Sequence, residues 1–294
     1  MTVMIESLAE VSGRYAALFC DLWGCLHNGR AAYPAAVAAL RAYRRAGGAV
    51  VLLTNAPRPS VFVEQQLARL GVPRDAWDLI VSSGDAAQDA MFAGAVGRRV
   101  WHLGPPKDDG FFTTIPDELK DRPAIIRVPL EDAEGIVCTG PFDEDRDVPE
   151  DYRARFLLAK ARGLKLLCAN PDLVVDYGER RIYCAGALAE LYTKMGGESL
   201  YFGKPWPPIY DLARRRLTAH LGIDATDDRI LAIGDGVGTD LQGAVAEGID
   251  CLFITGGLEA AHFGPDPDRP DPSLVAAFLS QRQLSPTFAM GRLR

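Results

Sequence analysis

The sequence predicts an α/β fold in which an open parallel-sheet core is interrupted by a smaller inserted α/β domain. Three observations predict it. Short apolar runs alternate with helical stretches at both ends of the chain, the βαβα pattern of a parallel sheet. These runs are continuously apolar rather than alternating, as strands covered on both faces require. Between about residues 84 and 197 the rhythm loosens into short strands and Pro-rich segments such as Pro105 to Gly110 and Phe142 to Pro149. The expected division is therefore core 1–84, insertion 85–197 and core 198–294, compatible with a length of 294 residues.

Taken in order, Tyr15 to Trp23 is a buried strand that delivers Asp21 to its C-terminal end before Gly24. Ala35, Val37, Ala38, Leu40 and Tyr43 recur at helical spacing, with Pro34 suited to the first turn and Gly47-Gly48 as the stop. Ala49 to Leu53 forms the next strand, ending in Thr54-Asn55, and a helix runs from about Ser60 to Leu70. In the insertion, the spans 99–103, 125–128, 135–139 and 164–168 read as strands, a helix spans about 150–162, and Asn170-Pro171-Asp172 makes a turn. After a helix at 185–195 the core resumes with 200–202 and Lys204, a helix at 208–220 and the strand 230–233 ending at Asp235. A helix at 241–247, a strand at 251–254 and a short helix at 273–279 complete the chain.

Composition excludes several functions. A net charge of −7 argues against a nucleic-acid partner, which needs clustered Lys and Arg; Arg41, Arg44 and Arg45 read as a solvated helix face. The six cysteines show no CxxC spacing and no apolar leader precedes the first charges, so the expectation is a reduced cytoplasm without disulfides. Cys20 and Cys25 read as small apolar side chains in a packed turn. With four histidines a zinc site has little support, and no apolar run suggests a membrane. A homodimer is allowed.

Ligands of open parallel sheets bind outside the carboxyl ends of the strands, and there the chain places Asp21, Thr54-Asn55, Lys204 and Asp235. Asp21 and Asp235 suit Mg²⁺, which prefers one or two carboxylates with waters and phosphate oxygens. A carboxylate nucleophile, a hydroxyl from Thr54, a backbone donor at Asn55 and the Lys204 ammonium together suit phosphoryl transfer. Each has a plainer alternative: an ST-turn for Thr54, solvation for Lys204, an N-cap of helix 241–247 for Asp240.

The segments ALFCDLWGCLHNG, VVLLTNAPR, YFGKPWPPIY and ILAIGDGVGTD, with LLCANPDLVV and CAGAL in the insertion, resemble the haloacid dehalogenase-like phosphohydrolases of class IIA over nearly the whole chain. The resemblance implies a Rossmann-like core with an inserted cap, and a Mg²⁺-dependent phosphatase acting on a small phosphorylated metabolite. It implies Asp21 as nucleophile and metal ligand, Thr54 and Lys204 on the phosphoryl group, and Asp235, Asp240 through water and the Trp23 backbone carbonyl around the metal. Asn170 and Asp172 would reach the leaving group from the cap. The chain departs from the family at Trp23, where an Asp usually protonates the leaving oxygen. His27 is then the candidate substitute acid or base, with a turn-bonded loop residue as its alternative. A substrate needing no proton, with Trp23 facing a planar ring, is another account; a weakly active or inactive protein binding a phosphorylated metabolite is a third. A receiver-type signalling domain shares the Asp, Thr and Lys but explains neither the insertion nor Asp235.

Overall fold

The computed structural model describes residues 2–177, 180–222 and 224–294. In chain order its strands are β1 Val3–Met4, β2 Ala17–Cys20, β3 Ala49–Thr54, β4 Leu79–Ser82, β5 Arg99–Leu103, β6 Ile126–Arg127 and β7 Gly135–Cys138. There follow β8 Lys165–Cys168, β9 Val174–Tyr177, β10 Arg180–Tyr183, β11 Glu198–Tyr201, β12 Ile230–Gly234, β13 Asp250–Ile254 and β14 Phe288–Met290. The chain divides into two compact units, one of Met1–Thr54, Glu64–Val81 and Tyr210–Arg294, the other of Asn55–Val63 and Ser82–Ile209.

The first unit is built on a seven-stranded sheet of order β1-β14-β13-β12-β2-β3-β4. Its registered pairs are parallel, and β2, β3 and β12 are buried at every position. That follows from their sequences, which offer apolar side chains to both faces. In register, Cys20 of β2 lies between Ile233 of β12 and Leu52 of β3. The ends of these three strands therefore emerge side by side, with Asp21 and Asp235 just past β2 and β12 and Thr54 the last residue of β3.

The second unit carries a five-stranded parallel sheet, β11-β8-β7-β5-β6, and an antiparallel hairpin of β9 and β10. Its core packs Leu103, Ile136, Leu166 and Leu188 with the rings of Tyr152, Phe156 and Tyr192. Phe156 is fully buried between Tyr192, with centroids 5.1 Å apart, and Tyr152 at 6.2 Å. Phe156→Ala is expected to lower stability by about 3–5 kcal/mol in denaturant unfolding, since the rings around it are held by their own contacts and cannot close the cavity. A loss under about 1 kcal/mol would show that they do.

The helices Pro34–Arg45, Ser60–Arg69, Ala185–Lys194 and Pro207–Leu221 lie where the spacing of apolar residues places them. Several elements are shorter than such patterns reveal. Strand β1 has two residues and β14 three, and both find their place through pairing at the sheet edge. The apparent break at Gly84 lies inside a helix, Ser83–Phe92, whose capping box pairs Ser82 with Asp85. A Cβ on Gly84 would lie 2.4 Å from the Pro57 carbonyl oxygen, so the glycine answers a close approach of backbone and not a helix stop. The basic helix face is also not simply solvated. Arg41 binds Asp75, and Arg44 forms a bidentate pair with Asp78, whose Oδ2 accepts from the Val50 N–H at 2.8 Å.

The second unit also holds a hydrogen-bonded chain with a pH consequence. His102 Nε2 lies 3.0 Å from Thr139 Oγ1, and the Thr139 hydroxyl hydrogen-bonds the buried Asp108 carboxyl. Burial pushes His102 down to about 4 from its ordinary 6.5; Arg127 adds to this and Asp109 opposes it. Between those values the unfolded chain binds a proton that the folded one refuses, so stability present above pH 6.5 is lost as pH falls towards 4. Asp108, raised by burial to about 6, acts oppositely, binding its proton first in the folded state. His102→Gln is expected to reduce the acid loss by on the order of 1–2 kcal/mol, read from urea midpoints between pH 7 and 4.5. An unchanged pH slope would assign the loss elsewhere.

Candidate active site

Asp21 begins the loop after β2 and is buried, with 8% of its surface exposed. Its N–H still donates to the Ile233 carbonyl at 2.8 Å, so the sheet fixes its backbone. Asp235 follows β12 on the adjacent strand, and its Oδ2 accepts from Leu258 N–H at 2.7 Å. Two glycines wall this carboxylate. A Cβ at Gly24, where φ is +73°, would lie 1.9 Å from Asp235 Oδ2, and one at Gly257 would lie 2.0 Å from it. Only hydrogen fits at either position.

Asp240 packs against Gly234, and its Oδ2 accepts from the Gly236 N–H at 3.1 Å across a π-turn at Val237–Leu241. The N-cap of the following helix, Gln242–Glu247, is Leu241, so Asp240 braces the loop and does not cap the helix. Thr54 ends β3 and is buried.

Among the described residues, the ligand atoms of Asp21, Cys25 and Asp235 lie within 4.8 Å of one another. The donor set distinguishes them. The Cys25 thiol is fully buried, and burial together with the charges of Asp235 and Asp21 pushes its pKa well up. The two carboxylates offer hard oxygen donors, the kind that suits a divalent cation such as Mg²⁺.

His27, the candidate substitute acid or base, lies inside the loop. It is 1% exposed, its Nδ1 accepts from the Gly29 N–H at 3.1 Å, and burial pushes its pKa down to about 4. These contacts are those of the turn-bonded loop residue. Trp23, in contrast, is 42% exposed and packs its ring on Gly29 and edge-on against His27.

In the second unit, Asn55 is the hub. Its Oδ1 accepts from the Lys204 N–H at 2.7 Å, and its Nδ2 donates to the Lys204 carbonyl at 3.0 Å and to Asp172 Oδ1 at 2.9 Å. Lys204 is 3% exposed and precedes a cis Pro205. Asn170 Oδ1 accepts from the Asp172 N–H at 3.0 Å, which fixes the turn. The sequence suggested a backbone donor at Asn55, and its side chain was the part overlooked; a polar residue at a strand end gives no sign of which half will be used. Gly257 was overlooked as well, its one signal being the pair Gly256-Gly257 after a strand.

A haloacid dehalogenase-like hydrolase of Brucella suis has the same structure along 99% of this chain and 100% of its own, with a TM-score of 0.83 and 38% identity. The chain belongs to that family. A model of the haloacid dehalogenase-like hydrolases matches residues 18–114, and a related HAD-hydrolase-like model matches 201–280. Bovine (Bos taurus) chronophin is 27% identical over 256 residues, 80% of this chain and 79% of its own. The 4-nitrophenylphosphatase of Thermotoga maritima shares the fold with a TM-score of 0.71, at 18% identity over 96% of each chain. Membership makes this haloacid dehalogenase-like protein a hydrolase, with the parallel-sheet core and second α/β unit that its sequence predicts. No described helix is long and apolar enough to cross a membrane.

Proposed function

We propose that the protein is a Mg²⁺-dependent phosphatase that hydrolyses a small phosphomonoester through a phosphorylated Asp21. The observation that carries this reading is the pair of buried carboxylates on adjacent strands, Asp21 and Asp235, close enough to share an ion, with Gly24 and Gly257 packed against Asp235. Asp21, Asp235, the Trp23 carbonyl and, through water, Asp240 would hold the ion, which when bound supplies positive charge against phosphoryl oxygens. Asp21 attacks phosphorus and forms an acyl phosphate. Thr54 donates its hydroxyl to the phosphoryl group and Lys204 its ammonium, while Asn55 fixes the Lys204 backbone. Residues 85–197 form the cap, in which Asn170 and Asp172 stand towards the leaving group. The nitrophenylphosphatase, by fold, supports this class of reaction.

The test is phosphate release from a panel of nucleotide, sugar, glycerol and pyridoxal phosphates by protein first stripped with a chelator. Release is expected to return with Mg²⁺ and not with Ca²⁺ of equal concentration, whose larger shell fits a two-carboxylate site less well. No release from any member with Mg²⁺ present would overturn the reading.

A further inference from the structure

From Asp21 to His27 the loop exposes one side chain, Trp23. The groups on the same stretch that carry exchangeable protons, the Cys25 thiol and the His27 imidazole, lie underneath with 0% and 1% of their surface exposed. An indole is not an acid in water. The one exposed side chain of this loop, two residues after Asp21, is therefore aromatic and carries no acidic proton.

Trp23 is held to that position. A Cβ on Gly29 would come within 2.2 Å of its Cη2 atom, so the ring lies directly on glycine backbone. The His27 ring supports it from the side, 5.4 Å between centroids at 72°, and Gly29 N–H fixes His27 in turn. A large apolar side chain kept 42% exposed and braced from behind is a preformed platform, since its rotamer freedom is already lost. The second unit repeats the arrangement independently. Trp206, two residues after Lys204, is 43% exposed and stacks on Tyr201 with ring centroids 4.9 Å apart and planes within 11°.

Resting on the phosphatase reading above, we propose that Trp23 is a specificity-determining residue that selects phosphates with a planar, weakly basic leaving group, that is, an aryl, enol or acyl phosphate. Asp21 forms its bond to phosphorus as the bond from phosphorus to the leaving oxygen breaks. The electron pair goes to that oxygen, which departs as the anion and takes its proton from solvent. Water then attacks phosphorus, inorganic phosphate leaves, the Asp21 carboxylate is restored and the water's proton passes to solvent. A leaving group that conjugation stabilises needs no acid in the first step, and its flat π system matches the indole face.

The test measures kcat/KM for phosphate release from four kinds of substrate: aryl phosphates graded by phenol pKa, acetyl phosphate with no ring, benzoyl phosphate with both features, and cyclohexylmethyl phosphate with a ring but a basic alkoxide. For the wild type the rate is expected to fall steeply with leaving-group pKa, leaving the alkyl ester roughly 100-fold or more behind the fastest aryl ester. Benzoyl phosphate should exceed acetyl phosphate, which separates the ring contact from basicity. Trp23→Asp should flatten the dependence and raise the alkyl rate, whereas Trp23→Phe should keep the slope. Equal wild-type rates on aryl, acyl and alkyl phosphates would overturn the proposal and leave the phosphatase reading standing. A Trp23→Asp slope as steep as the wild type's would also overturn it. No Asp21-dependent release from any substrate would overturn both.

Discussion

Asp21→Asn is expected to lower phosphate release by roughly 10⁴-fold or more on every substrate the wild type turns over. The carboxamide matches the carboxylate in size, so the buried position after β2 stays filled and the N–H still donates to Ile233. What disappears is the anionic oxygen proposed to form the acyl phosphate. Asp235 is engaged by the Leu258 N–H, and the Cys25 thiol is fully buried with its pKa pushed up. In metal-free protein the same change removes one of two negative charges brought close together, so the thermal midpoint should hold or rise. Activity within tenfold of wild type would remove Asp21 from the nucleophile's role, and a collapsed midpoint would show that the loss came from folding.

Gly24→Ala should cost about 100-fold in activity and weaken the apparent affinity for Mg²⁺. Two effects coincide at this residue. The left-handed backbone at φ +73° strains any L side chain by about 1–2 kcal/mol, and the new methyl would stand 1.9 Å from Asp235 Oδ2. The carboxylate must swing away, leaving Asp21 without its partner. Gly47→Ala provides the control, because φ there is +94° while nothing lies within 4 Å of the added Cβ. It should lose similar stability and keep its activity and its metal response. If the two variants behave alike in the assay, backbone strain alone explains Gly24.

Sequence legibility follows physical scale. The sheet strands β2, β3 and β12 were readable because burial on both faces leaves an unbroken apolar run, and Asp21, Thr54 and Asp235 stood out as candidates because each stands where such a run stops. Strands β1 and β14 were not, since two or three residues carry no periodicity and are held by partners far along the chain. The helix Ser83–Phe92 was hidden by Gly84, whose reason for being glycine is a carbonyl from another segment. The same limit applied at the site. The pattern showed that Asn55 mattered, but its link to Lys204 and Asp172 joins residues that nothing local associates. His27 sat close to the nucleophile in sequence, yet proximity along the chain says nothing about which side of the loop a ring occupies, and its ring lies beneath.

The pairing of β12 with β2, in which Ile230 meets Ala17, has a kinetic side. Synthesis delivers the strand carrying Asp21 early and its neighbour only after the whole second unit has emerged. Until then β2 shows an edge of unpaired N–H and C=O groups with no permanent partner on that side, and the loop to be closed is long. Contacts of such separation make folding slow and leave strand edges open to other chains. The second unit draws its sheet from one continuous stretch, β5 to β11, and can collapse first. Asp21 and Asp235 therefore meet late, and a ribosome stalled before β12 would hold a chain whose first buried carboxylate still lacks its partner.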